Sequence, residues 1–241
     1  VHYAKFGLCT NPLPGRWLAF IIIISLSAPC AADHQTEFPK TTESLKQRYI
    51  DEVVAHQHYG AYAKKAEEEG YPNFAHLFRS LAASEAVHAR NFKRLLTELG
   101  AEIPEPPVTG LQVAGTRDNI GRATTVETNE IDNEYPGILE SIADENHQEA
   151  IENITYAWQA EKQHRELISK IHKAAKSWFS LLVERIEGKP SHYYVCQICG
   201  STLTELPGNQ CPICGHDVSN YQEVPGFPGV RKPKDKPYRP F

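Results

Sequence analysis

Glu85-Ala-Val-His88 and Glu161-Lys-Gln-His164 are the same device, a glutamate followed three positions later by a histidine, repeated 76 residues apart. On a helix, positions i and i+3 share a face, so each segment offers a carboxylate and an imidazole able to bind one metal together. Histidine makes up 11 of 241 residues, so a given Glu has about a one-in-twenty chance of this neighbour. One such pair is an ordinary surface contact. Two at a fixed period mean more, and Glu52 has a counterpart 75 residues later in Glu127. The one-residue difference between the two periods predicts an insertion or a helix bulge in the second half, on top of an internal duplication.

Outward from these motifs, Thr41 to about Glu187 reads as long amphipathic helices. Thr41, Thr42, Glu43 and Ser44 offer capping groups to a first helix that Gly70 ends, and Pro72 opens a second running to Leu99. Phe74, Leu77, Phe78, Leu81 and Ala82 fall at helical spacing in that second helix. Residues 100–115, with Pro104, Pro106 and Pro107, read as a long crossover. A third stretch covers 118–145, where Pro136 should kink or unwind it, and a fourth covers 148–187. Two helical hairpins joined by a crossover describe a mainly α fold, a four-helix bundle of ferritin-like connectivity over residues 33–188. One Glu from each of two helices and Glu-x-x-His from each of the others is the ligand set of di-iron carboxylate bundles. Carboxylate and imidazole donors suit iron or manganese. Glu130, one turn beyond Glu127, can reach the same interior, whereas Glu67, Glu68 and Glu69 read as a solvated face.

Past Gly188 the helical period vanishes. Cys196-Gln-Ile-Cys199-Gly200 and Cys211-Pro-Ile-Cys214-Gly215 have the spacing of one tetrathiolate site, either structural zinc or a one-iron electron-transfer centre. Two disulfides are the competing reading in an oxidising compartment. Residues 189–224, with strand-prone Tyr193, Tyr194 and Val195, are too few for a sufficient core, so metal must nucleate this small β/knuckle domain. Residues 225–241 form a basic, proline-rich tail.

The other end reads as a signal peptide over residues 1–32. Lys5 and Arg16 precede the apolar run Trp17–Ile24, and Ser25, Ser27, Ala28, Ala31 and Ala32 supply a small-residue exit. The run is short for a bilayer span, so export to a bacterial periplasm is favoured over a retained anchor, with no stable membrane span after cleavage. Cleavage would remove Cys9 and Cys30 and leave the four paired cysteines. The net charge of −5 becomes −7 without Lys5 and Arg16, so nothing points to nucleic acid. Neither a Gly-x-x-x-x-Gly-Lys loop nor a Gly-x-Gly-x-x-Gly fingerprint is present, so a nicotinamide donor would act through a separate reductase.

Over about residues 40–224 the chain resembles the rubrerythrins, which join a di-iron bundle to a rubredoxin-like domain. The matching stretches are Glu52-Val-Val-Ala-His-Gln-His-Tyr59, Glu85-Ala-Val-His88-Ala-Arg, Glu127-Thr-Asn-Glu130 with Tyr135-Pro136, and Ala160-Glu161-Lys-Gln-His164. The eleven-residue gap between the cysteine pairs also resembles that family. The resemblance implies that Glu85 and Glu161 bridge two irons. Glu52 and Glu130 would serve one iron, with His88 exchanging against Glu130, while Glu127 and His164 serve the other. Tyr59 and Tyr135 would hydrogen-bond ligand carboxylates, and Cys196, Cys199, Cys211 and Cys214 would hold a further iron, zinc being possible. His56 and His58 stand where the family has arginines. By the same resemblance the activity is reduction of hydrogen peroxide with electrons from a redox donor protein or reductase, in homodimers where one subunit's rubredoxin centre faces the partner's di-iron site. The alternatives are a ferroxidase or oxygen-reducing protein, and an iron-handling protein with structural zinc.

Overall fold

The computed structural model describes residues 37–107, 110–187 and 191–226. The leader read at 1–32 lies outside these residues, as does nearly all of the tail read at 225–241. Helices α1 (Pro39–Glu68) and α2 (Pro72–Glu98) form the first hairpin. Its turn is set by Gly70, at φ +83°, a left-handed conformation that glycine adopts without a Cβ penalty.

The expected threonine and serine caps do not start α1. The helix begins at Pro39 with no side-chain cap of its own. The carboxylate of Glu145, from the far end of the second hairpin, instead accepts from the Lys40 and Thr41 amides at 2.8 Å each, while Lys40 Nζ meets Asp144 at 2.7 Å. An anion at a helix N-terminus satisfies free amides and opposes the macrodipole, so one remote residue does what the local hydroxyls were expected to do.

The third stretch is broken. It comprises α3 (Thr116–Asn129), a π-helical turn at Glu130–Glu134, α4 (Tyr135–Ile142) and a 3-10 turn at Ala143–Glu145. The Tyr135 amide donates to the Glu130 carbonyl five residues back. Here is the extra residue required by the unequal periods, placed immediately before Pro136, whose missing N–H could not have continued the ladder. The long helix α5 (Gln148–Glu187) returns beside α3 and α2.

Two apolar clusters bracket a polar middle layer. Phe74, Leu77, Phe78, Tyr62 and Ile120 pack at one end, and Leu45, Phe92, Leu96, Ile142 and Ile154 at the other. Glu85 lies between Ala82 of the first cluster and Ala89 of the second, and Glu161 between Ala157 and Ile168. The Glu and His set therefore occupies the centre of the bundle, held by packed residues one or two turns above and below.

Strands β1 (Tyr194–Cys196), β2 (Thr202–Leu203) and β3 (Tyr221–Glu223) form an antiparallel sheet in the order β2-β1-β3, which packs on α2 and α5. Its register sets Cys196 opposite Tyr221. Among the described residues no helix is long and apolar enough to cross a membrane.

Candidate metal centres

Among the described residues three groups of ligand-type side chains converge: Glu52, Glu85, His88 and Glu161; Glu85, Glu127, Glu161 and His164; and the four cysteines. Within each group the ligand atoms lie within 4.8 Å of one another. Glu85 and Glu161 belong to both carboxylate groups, the placement a bridging pair requires. His88 Nδ1 lies 3.1 Å from Glu85, 3.2 Å from Glu161 and 3.5 Å from Glu52. His164 Nδ1 lies 2.8 Å from Glu161, 3.3 Å from Glu85 and 3.9 Å from Glu127. The tyrosines read from the sequence stand behind this set: Tyr135 donates to Glu52 Oε1 at 2.7 Å and Tyr59 to Glu127 Oε1.

Hydrogen bonds on the far side of each ring fix its orientation. His88 donates from Nε2 to the Cys199 carbonyl at 3.2 Å. Thr202 spends its hydroxyl proton on the Gly200 carbonyl, so its oxygen accepts from His164 Nε2 at 3.2 Å. Both rings thus turn Nδ1 toward the carboxylates, the nitrogen that would meet a metal held there.

The electrostatics fit cations. Burial, then Glu161 and Glu85, push the Glu127 carboxyl well above the usual range, and burial with Glu161 and Glu52 does the same to Glu130. Against the effect of burial, neighbouring acids push His164 up to about 10 and raise His88 well above an ordinary imidazole. Burial acts to raise Glu161, yet His164 and His88 hold it well below the carboxylate range. Both Glu85 oxygens, Glu127 Oε2 and His88 Nδ1 are buried without a hydrogen-bond partner. Orphaned acceptors in this number are costly unless cations satisfy them. Two divalent metals fit the donors present.

Glu130 is outside both groups. Its carboxylate lies 3.8 Å from the guanidinium of Arg48, a buried residue that also binds Asp51 and, at 2.6 Å, Glu134. Arg48 lies over the Tyr135 ring and floors an open groove of about 550 Å³ lined by Gln47, Asp51, Glu134 and Ile138. Sequence reasoning missed Arg48. Its signal was available, since it precedes Glu52 by one helical turn. His56 and His58 take no part: their Nδ1 atoms meet the carbonyls of Ala82 and Val54. The supposedly solvated acids also have partners. Glu69 accepts from the Thr116 amide at 2.9 Å, starting α3, and Glu67 binds Arg79.

Cys196, Cys199, Cys211 and Cys214 are all free, which removes the disulfide reading for them. Cys196 and Cys214 sulfurs lie 3.8 Å apart, and Cys199 and Cys211 sulfurs 3.5 Å. A tetrahedron with 2.3 Å metal–sulfur bonds has edges of about 3.8 Å. The two knuckles match: Gly200 and Gly215 adopt φ of +79° and +70°, and their amides return to the carbonyls of Cys196 and Cys211.

The first knuckle sits directly on the bundle. Its carbonyls at Gln197, Ile198, Cys199 and Gly200 accept from Arg90, Asn91, His88 and Ser84 respectively. Gln163, between Glu161 and His164 on α5, accepts from the Ser201 hydroxyl and the Thr202 amide at 3.0 Å each. A Cβ on Gly200 would collide with the His88 ring and the Ser84 hydroxyl, so glycine is required there twice over. These contacts run within one chain.

Comparison with known proteins agrees with this architecture. The rubrerythrin family profile matches residues 43–172. Rubrerythrin-2 of Clostridium acetobutylicum is 31% identical over 185 residues, covering 76% of this chain and 95% of its own. Nigerythrin of Nitratidesulfovibrio vulgaris is 27% identical over 183 residues, covering 76% and 86%. A nigerythrin structure in the mixed-valent state superposes with a TM-score of 0.65 at 27% identity, over 80% of this chain and 90% of that one. Desulfovibrio desulfuricans bacterioferritin, at 19% identity, TM-score 0.59 and coverage of 64% and 90%, shares the fold. With two His/Glu groups in the bundle and a four-cysteine group docked upon it, the chain belongs to the rubrerythrin family.

Proposed function

We propose that the protein is a peroxide reductase, converting hydrogen peroxide, two protons and two electrons into two molecules of water. The observation carrying this reading is the single hydrogen bond between the Cys199 carbonyl and His88. It ties a thiolate residue to a ring of the carboxylate centre, a contact that neither iron storage nor a purely structural zinc knuckle requires. Solved nigerythrin structures in mixed-valent and all-ferrous states support redox cycling of iron in a relative.

In this reading Glu85 and Glu161 would be shared between two metals, with Glu52 and His88 holding one and Glu127 and His164 the other. Iron held there would supply the two electrons that peroxide reduction needs, and iron held by Cys196, Cys199, Cys211 and Cys214 would supply their replacement. The remaining work belongs to the chain. Tyr59 and Tyr135 hold protons against Glu127 and Glu52, fixing the direction in which each carboxylate points. Glu130, restrained at Arg48, is a reserve carboxylate next to the site. Bracketing apolar clusters exclude water from the centre. Donor proteins or a reductase would reach the exposed side of the knuckles, and association as a homodimer and export through the leader belong to the same proposal.

The test is steady-state consumption of peroxide, with dioxygen compared as oxidant, in the iron-loaded protein and Glu85→Ala. Peroxide turnover that disappears in the variant while the bundle stays folded supports the reading. Turnover that persists, or dioxygen as the preferred oxidant, removes it.

A further inference from the structure

The two knuckles are related by an approximate twofold in their backbone turns, but one side chain breaks that symmetry. Tyr221 sits opposite Cys196 in the sheet, 8% exposed, with its ring packed among the cysteines. Its hydroxyl lies 3.2 Å from Cys211 Sγ and 2.8 Å from Ser201 Oγ. A phenol has one proton to give. Ser201 cannot return one, because its own proton goes to Gln163 Oε1. Gln163 must present oxygen there, since the same atom accepts from the Thr202 amide. The tyrosine proton therefore has two competing acceptors, a thiolate sulfur and a neutral hydroxyl oxygen.

We infer that Tyr221 is a positioning residue that sets the reduction potential of the cysteine site, its proton turning to Cys211 when the site gains an electron and to Ser201 when it loses one. The inference rests on the iron reading of that site given above. A ferrous tetrathiolate carries one more negative charge than a ferric one, so its sulfurs accept a hydrogen bond more strongly. A donor that bonds the reduced form better stabilises it and raises the potential. Because the alternative acceptor leads through Ser201 to Gln163, between the ligands Glu161 and His164, the same proton links the charge of the cysteine site to the contact between the domains.

The experiment is a redox titration of the full chain followed by visible absorption, with ferrous salt used to load the cysteine site. Tyr221→Phe keeps the ring and removes only the hydroxyl. Its equilibrium constant for reduction should fall roughly three- to tenfold, tenfold being 59 mV for one electron. Ser201→Ala deletes the competing acceptor and should leave the potential unchanged or higher. Resonance Raman should show the iron–sulfur stretch rising in Tyr221→Phe as the sulfur loses its donor. An unchanged midpoint in Tyr221→Phe, or an equal fall in Ser201→Ala, overturns the inference by reducing the hydroxyl to a structural strut. A protein isolated colourless would instead count against native iron, and the loaded variants would still decide the role of Tyr221.

Discussion

His88 donates from Nε2 to the Cys199 carbonyl at 3.2 Å while its Nδ1 faces Glu52, Glu85 and Glu161. One ring therefore belongs to both candidate metal centres. Only the carbonyl carbon, Cα and Cβ of Cys199 separate that oxygen from Sγ, so one hydrogen bond joins the cysteine site to a ring of the carboxylate centre.

Gly200→Ala tests that junction. The residue has φ +79° and no room for a methyl group against His88. The variant should keep the spectrum of its cysteine site and lose at least tenfold in peroxide turnover, because the knuckle is displaced from the ring. Parallel assays of metal content and turnover check this.

Tyr59→Phe and Tyr135→Phe each remove a hydroxyl that bonds a ligand carboxylate, Glu127 in one case and Glu52 in the other. Losing such a partner weakens metal binding about 10- to 100-fold. Each variant should lose affinity chiefly at its own site, as measured by stepwise titration with a divalent metal. Equal loss at both sites would contradict the division of ligands.

Metal removal should soften the bundle. Both Glu85 oxygens and Glu127 Oε2 lack hydrogen-bond partners, so the apoprotein buries uncompensated acceptors. A metal at a hundredfold excess over its Kd contributes about 2.7 kcal/mol, or roughly 5–10 °C in Tm for a chain of this size. Calorimetry before and after chelation measures the difference.

His76 gives a pH signature away from both centres. Burial lowers its pKa below the ordinary 6.5, against the raising effect of its bond to the Val224 carbonyl. Arg79 and His192 lower it further and Glu223 opposes them. The unfolded chain takes up this proton first, so the neutral ring's contribution is complete above pH 6.5 and is lost as pH falls through the lower folded-state value. The wild type should lose more thermal stability between pH 7.5 and 5 than His76→Gln, with melting curves as the check.

The bundle and the convergence of its Glu and His side chains were legible because helical geometry forces i,i+3 residues to a common face. Comparing the repeat periods even announced the π turn, though the count did not locate it. Glu145 as the cap of α1 was not legible, because it lies more than 100 residues from the amides it binds. The docking of the first knuckle was equally hidden: its acceptors are backbone carbonyls, which every residue carries. Glu130 was read from its spacing as able to reach the same interior, and the spacing gave no hint that its carboxylate lies 3.8 Å from the buried guanidinium of Arg48.

Electron flow from the cysteine site to the carboxylate centre is the central claim, and anaerobic stopped-flow absorption tests it most directly. The fully reduced protein is mixed with hydrogen peroxide and the red ferric tetrathiolate band is followed. Rapid return of that band in the wild type, together with its slow return in Glu85→Ala, is the predicted result. A band that never appears, or one that returns equally fast in both proteins, would contradict the account.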